Sequence, residues 1–189
     1  DVLSGDRVYP MRPLVEQVLY VEMSPEQKKL YHLRRQFYQE NLKQQIAING
    51  IQKSQFFIFQ ALNELRQIAA IPESQSEQRI ISPKREVLME YILEAVANQH
   101  KVLVFGNFLS IIEYVGEDLA QAGIEYLVMT GATKDRGALV ERFQNDPACQ
   151  VFLMTLKTGG LGLNLTQADT IFIFDPWWNP SVEHQAVDR

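Results

Sequence analysis

The 189-residue sequence predicts an α/β fold: a parallel sheet with helices on both faces, plus an N-terminal helical protrusion. Three observations carry this. Short apolar runs such as KVLVF (101–105), VFLM (151–154) and TIFIF (170–174) alternate with helical segments, the pattern of strands buried on both faces. From Ser24 to Ile71 the text is helical, without that alternation. Between the two parts lies a polar stretch, PESQSEQRIIS (72–82), which reads as a linker or loop that need not be ordered.

In chain order, Gln17 to Glu22 (QVLYVE) reads as a strand, which Val15 extends. Ser24-Pro25 opens the first helix, at about 24–48. The serine hydroxyl satisfies an orphan N–H, and proline at the first position has none to lose. Leu30, Leu33, Phe37 and Leu42 repeat at helical spacing. Asn49-Gly50 breaks the run, and a second helix follows at about 52–70, so the pair forms a hairpin. Its aromatic stripe, Phe56, Phe57 and Phe59, is expected to pack between helices rather than serve as a surface. The predicted first unit is therefore 1–82, and the second is 83–189. In the second, helices are predicted at Pro83–Asn98, Ser110–Ala122, Asp135–Asn145 and from Val182 onward. Strands are predicted at Lys101–Phe105, Ile124–Met129, Val151–Met154 and Thr170–Phe174. Ligands of such sheets sit at the carboxyl ends of the strands. The turns after Phe105, Met129, Met154 and Phe174 are therefore the places to search.

Composition narrows the function classes. Apolar residues make up 46% and charged residues 22%, enough for a real core. The net charge of -5 gives no strongly basic footprint of a nucleic-acid binder, although a local polar strip remains compatible. The single cysteine, Cys149, makes no internal disulfide, and His32, His100 and His184 lack ligand spacing, so no metal site is expected. No spanning or secretory segment is present in the sequence, which fits a reducing, soluble compartment and no membrane partner.

The turn after Met154 reads TLKTGGLGLNL. It is not a Walker A loop, because Lys157 precedes the glycines and no Gly-Lys-Ser/Thr occurs in the chain. A dinucleotide fingerprint lacks its third glycine and its ribose acid. Two readings stay open. In one, glycine serves a tight turn and a close helix–strand contact. In the other, exposed N–H groups meet a phosphate or a nucleic-acid backbone. Thr155, Lys157 and Thr158 carry the hydroxyl and ammonium groups that contact phosphate. Asp175-Pro176-Trp177-Trp178-Asn179-Pro180 follows the last strand. Adjacent tryptophans diverge, so one packs inward while the other is free to stack. Asp175, a strand-end acid followed by proline, reads as a turn acceptor rather than a general base.

The run LMTLKTGGLGLNLTQADTIFIFDPWWNPSVEHQAVDR (153–189) closely resembles the second RecA-like lobe of the Swi/Snf-type DNA-dependent ATPases, superfamily-two motors that translocate on double-stranded DNA. Other segments agree in order: VEQVLYVEMSPEQKKLY, LNELRQIAAIP, SPKREVLMEYI, KVLVFGNF and MTGATKDRGALVERFQND. The resemblance covers nearly the whole chain. It departs at Ala69-Ala70 and at Leu161, and the short linker and compact protrusion resemble a bacterial member.

This resemblance implies a RecA-like fold truncated within motif VI, and ATP with Mg2+ bound mainly by a first lobe that carries the P-loop. It implies that Gly160 and Gly162, with Gln185, Asp188 and Arg189, face the nucleotide. Arg189 matches the first motif VI arginine, and the second lies beyond the sequence shown. Thr130, Gly131, Thr155, Lys157, Thr158, Trp177 and Trp178 are the implied DNA contacts. The implied partners are the double-stranded DNA backbone, the first lobe and a DNA-bound protein target. The implied location is nucleoid-associated in a bacterium or nuclear in a eukaryote. An isolated fragment is expected to lack ATPase activity. The competing classes are a non-catalytic docking module of the same fold and a nucleotide-dependent enzyme of the doubly wound class.

Overall fold

The computed structural model describes residues 15–77, 79–159 and 163–176. Four parallel strands form one sheet: β1 (Val102–Gly106), β2 (Tyr126–Met129), β3 (Val151–Thr155) and β4 (Thr170–Ile173), in the order β2-β3-β1-β4. Val102 pairs with Val151 and with Thr170, which keeps the strands nearly flush. This is the predicted RecA-like parallel sheet.

Alternation along the two central strands divides the core. Val102, Val104, Val151 and Leu153 meet α3 (Pro83–Ala97) and α4 (Leu109–Gln121) through Leu88, Ile92, Ile111, Val115 and Leu119. Leu103, Phe105, Phe152 and Met154 face the other way, toward Phe143 of α5 (Arg136–Asn145) and toward Leu156. β1 is buried on both faces, which is why it reads as an unbroken apolar run. Ser82 and Asp135 cap α3 and α5 by accepting from Arg85 N and Ala138 N. Lys101 closes the far end of α5. Its ammonium donates to the carbonyls of Phe143, Asp146 and Cys149, where the helix dipole favours a cation.

The protrusion is a helical hairpin of α1 (Pro25–Lys53) and α2 (Gln55–Ala70). The expected break is present at Gly50, whose φ of 75° and ψ of 167° interrupt α1. Ser24 caps α1 as read. Gln27 stands where a capping-box glutamine would reach back, yet its amide donates across to the carbonyls of Ile68 (2.8 Å) and Ala69 (3.1 Å). It thereby satisfies two carbonyls that end α2 without partners of their own.

Three expectations are corrected. Residues 17–22 form no strand: among the described residues they pair with none of the four strands, and a lone strand leaves its backbone groups unpaired. Val18 and Tyr20 are exposed. Phe56 and Phe59 do not pack between helices: they are 81% and 55% exposed. α1 covers one stripe of α2, where Phe57 meets Tyr38 edge-to-face, and residues 56 and 59 lie outside that stripe. The stretch 72–82 is not a loose linker. Pro72–Gln75 forms a 3-10 turn, Ile80 and Ser82 are buried, and the Ser82 hydroxyl donates to the Ala70 carbonyl at 2.9 Å.

Candidate functional site

Because the strands are flush and parallel, the four searched turns share one edge of the sheet. After β2, the turn is built from hydroxyls. Thr130 N donates to Thr133 Oγ1 at 2.9 Å, and Ala132 N donates to Thr130 Oγ1 at 3.3 Å. The Thr130 side chain is thus partly committed to shaping its own turn. Gly131 is exposed, as is Lys134 three residues on. Lys134 was not singled out from the sequence, where it reads as an ordinary solvated lysine.

After β3, the chain makes a single helical turn, α6 (Leu156–Gly159). Leu156 anchors it in the core, and Lys157 points to solvent. Thr155 and Thr158 join their hydroxyls at 2.6 Å. Thr158 is only 3% exposed, and its hydroxyl is shared with Thr155 within the turn. The cause is Gly159. It is buried against the Phe105 ring, and a Cβ there would lie 2.3 Å from Phe105 Cε1. The turn therefore enters the core at residues 158–159. At Gly159 the glycine-rich run serves close packing, one of the two readings the sequence left open.

After β4, Asp175 is buried and behaves as the turn acceptor its position suggested. Its Oδ1 accepts from Asn107 N at 2.9 Å, and its carbonyl accepts from Asn107 Nδ2 at 2.6 Å. These bonds tie the end of β4 to the turn after β1. Two cations attend it. Arg66 of α2 places Nη2 3.7 Å from Asp175 Oδ2 and donates to the Pro176 carbonyl at 3.2 Å. Lys84, in the first turn of α3, lies with Nζ 5.6 Å from the Phe174 ring centroid. Burial pushes the Asp175 carboxyl up, and the Asn107 hydrogen bonds and the charges of Arg66 and Lys84 oppose this. Burial pushes the Lys84 ammonium down, with the Asp175 charge opposing. Neither Arg66 nor Lys84 was singled out from the sequence. Arg66 stands 110 residues from Pro176, a separation no local pattern encodes.

The structure thus brings Thr130, Gly131, Thr155 and Lys157 to one edge, with Thr158 beneath it. Gly160, Gly162, Trp177, Trp178, Gln185, Asp188 and Arg189 lie outside the described residues. Among the described residues no three His, Cys, Asp or Glu side chains gather as a metal-binding group. No described helix is long and apolar enough to cross a membrane.

Comparison with known proteins now bears on this edge. The Helicase conserved C-terminal domain family matches residues 83–189. A protein of Mycoplasma pneumoniae named as an ATP-dependent helicase is 37% identical over 174 residues, covering 90% of this chain. This chain spans 16% of that relative's length. The SWI2/SNF2 ATPase C-terminal domain of Sulfolobus solfataricus superposes with a TM-score of 0.71 at 28% identity, covering 86% of this chain and 72% of that one. The SWI2/SNF2 ATPase core of the same organism, solved in complex with double-stranded DNA, superposes with a TM-score of 0.70 at 28% identity. That match covers 88% of this chain and 35% of the core. With the parallel sheet, the helical hairpin and the turn-lined edge on the same chain, the conclusion is plain: it belongs to the helicase conserved C-terminal domain family, as the C-terminal RecA-like lobe of a Swi/Snf-type ATPase.

Proposed function

We propose that this chain is the second motor lobe of an ATP-dependent double-stranded DNA translocase or remodeller. One observation carries the reading. The turns after β2 and β3 are neighbours, and together they expose Lys134, Lys157 and the Gly131 backbone beside the hydroxyls of Thr130 and Thr155. Hydroxyls, amides and ammonium groups of this kind hold a phosphate backbone without reading its sequence. The Sulfolobus core solved with double-stranded DNA supports the same use of this fold.

The carboxylate at this edge, Asp175, is buried and committed to Asn107, so it is not placed to hold Mg2+. ATP with Mg2+ would be held mainly by a first lobe carrying the P-loop, and Gly160, Gly162, Gln185, Asp188 and Arg189 would complete the site from this side. Closure of the two lobes on ATP and reopening after hydrolysis would move the protein along DNA. This lobe alone hydrolyses no ATP. A DNA-bound protein is the target displaced or remodelled by that movement.

The test joins the chain to its first lobe and measures DNA-stimulated ATP hydrolysis. Stimulation is expected. Lys157→Ala is expected to weaken DNA binding severalfold and lower the salt dependence by about one counterion. Arg189→Ala, which removes the first motif VI arginine, is expected to lower kcat by about tenfold or more. A two-lobe protein that binds DNA yet hydrolyses no ATP would sink the motor reading and leave a docking module.

A further inference from the structure

The hairpin touches the functional edge through Arg66. Its guanidinium lies 5.5 Å from the Phe108 ring centroid, donates to the Pro176 carbonyl, and faces Asp175 Oδ2. Asp175 is in turn held twice by Asn107. One side chain of the hairpin therefore grips the last residues of the β4 turn and lies over the turn after β1. Everything the sequence places after Pro176 leaves from this point: Trp177, Trp178, Gln185, Asp188 and Arg189.

We propose that Arg66 is a positioning residue. It sets the direction in which the chain leaves Pro176, and so couples the helical hairpin to the tryptophan pair and the nucleotide-facing residues beyond. The effect on hydrolysis rests on the motor reading above, while the effect on chain direction does not.

A purely structural role for Arg66 is the competing account, and the packing argues against it. The hairpin is anchored by other groups. Ile68, Ala70 and Ile71 are buried at its base, Ser82 donates to the Ala70 carbonyl, and Gln27 closes the end of α2. The Arg66 hydrogen bond of 3.2 Å to the Pro176 carbonyl and its ion pair of 3.7 Å to Asp175 lead out of the hairpin, to the β4 turn. Loss of Arg66 also leaves Asp175 with both Asn107 bonds and with Lys84 nearby. What truncation removes is the link between hairpin and turn. Misplacement of groups far from the chemistry by about an ångström can cost about a hundredfold in rate.

Two measurements test this. The 189-residue chain contains two tryptophans, Trp177 and Trp178, so tryptophan emission, excited selectively over the tyrosines, reports on this segment. In Arg66→Ala we expect shifted emission and changed acrylamide quenching, with unchanged far-ultraviolet circular dichroism. Arg66→Lys, which can still reach one acceptor, should lie between the two. In the two-lobe protein, Arg66→Ala should lower DNA-stimulated kcat by about ten- to a hundredfold. Asp175→Asn combined with Arg66→Ala should lose less than the product of the two single losses, because the two side chains share a contact. Wild-type fluorescence in Arg66→Ala overturns the proposal, as do multiplicative losses in the double variant. If fluorescence moves but the unaltered two-lobe protein hydrolyses no ATP, the motor reading fails and the positioning role stands.

Discussion

Gly159 shows how one missing side chain shapes the candidate site. The glycine run looked like a phosphate loop with the wrong lysine. Its first glycine instead lies on the Phe105 ring, where a Cβ would come within 2.3 Å. Alanine has the better helix propensity by about 1 kcal/mol, so on local grounds Gly159→Ala should stabilise α6. The clash is the larger effect: crowding a packed core costs about 1–3 kcal/mol. Gly159→Ala is therefore expected to lower stability in urea denaturation, and Phe105→Leu in the same chain to recover part of the loss. A stable Gly159→Ala variant would mean that this glycine is kept for backbone freedom or ligand approach instead.

The hairpin has a different logic, because polar groups hold its two helices together. Arg34 donates to both Glu64 oxygens, and the Tyr38 hydroxyl donates to Oε2. Burial pushes the Glu64 carboxyl up, but the hydrogen bonds from Arg34 and Tyr38 outweigh it and hold the group below its ordinary value of 4.5. A carboxylate held low in the fold stabilises the fold above its ordinary pKa, and that contribution disappears as pH falls through the folded value. Glu64→Gln should thus cost about 1–2 kcal/mol near neutral pH. The difference from the unaltered chain should shrink as the solution is acidified below pH 4.5. Denaturant titrations across that range, followed by helical circular dichroism, read this directly, and a pH-independent difference would exclude Glu64 as the cause. Helical periodicity revealed the two helices but not this network. The spacing identified apolar positions and could not say that α2 would have one covering partner, so Phe56 and Phe59 were assigned to packing and emerged exposed.

Across the molecule, the segment read as a linker makes the protrusion and lobe one body. Arg85 of α3 donates to Glu73 Oε1 in the 3-10 turn and to both oxygens of Asp118 in α4. Ser82 N donates to the same Glu73 oxygen at 2.7 Å. All three charged side chains are largely buried. Removing one member of a buried ionic group strands the others, at about 3–5 kcal/mol. Arg85→Ala should show that loss in equilibrium denaturation, and hydrogen exchange should quicken at 72–82 together with α3. A loss within the range of a surface pair, below about 1 kcal/mol, would mean that the Arg85 group adds little to the joint between hairpin and lobe.

Local chemistry was legible in the chain. Ser24, Ser82 and Asp135 cap the helices they precede because capping involves groups three residues apart. The strands were legible because burial on both faces demands unbroken apolar runs, and the parallel sheet followed from their alternation with helices, whereas its RecA-like character came from the resemblance of the motifs. The edge where Thr130, Thr155 and Lys157 meet could be named because parallel strands must end together. Contacts between distant residues could not. Gln27 reaches Ile68, Lys101 reaches the end of α5, Arg85 reaches Asp118, and Arg66 reaches Pro176 across 110 positions. A charged or amide side chain reads the same whether it meets water or a buried carbonyl. Its meaning depends on which partner the folded chain brings within about 3 Å, and folding alone brought Arg66 to Asp175.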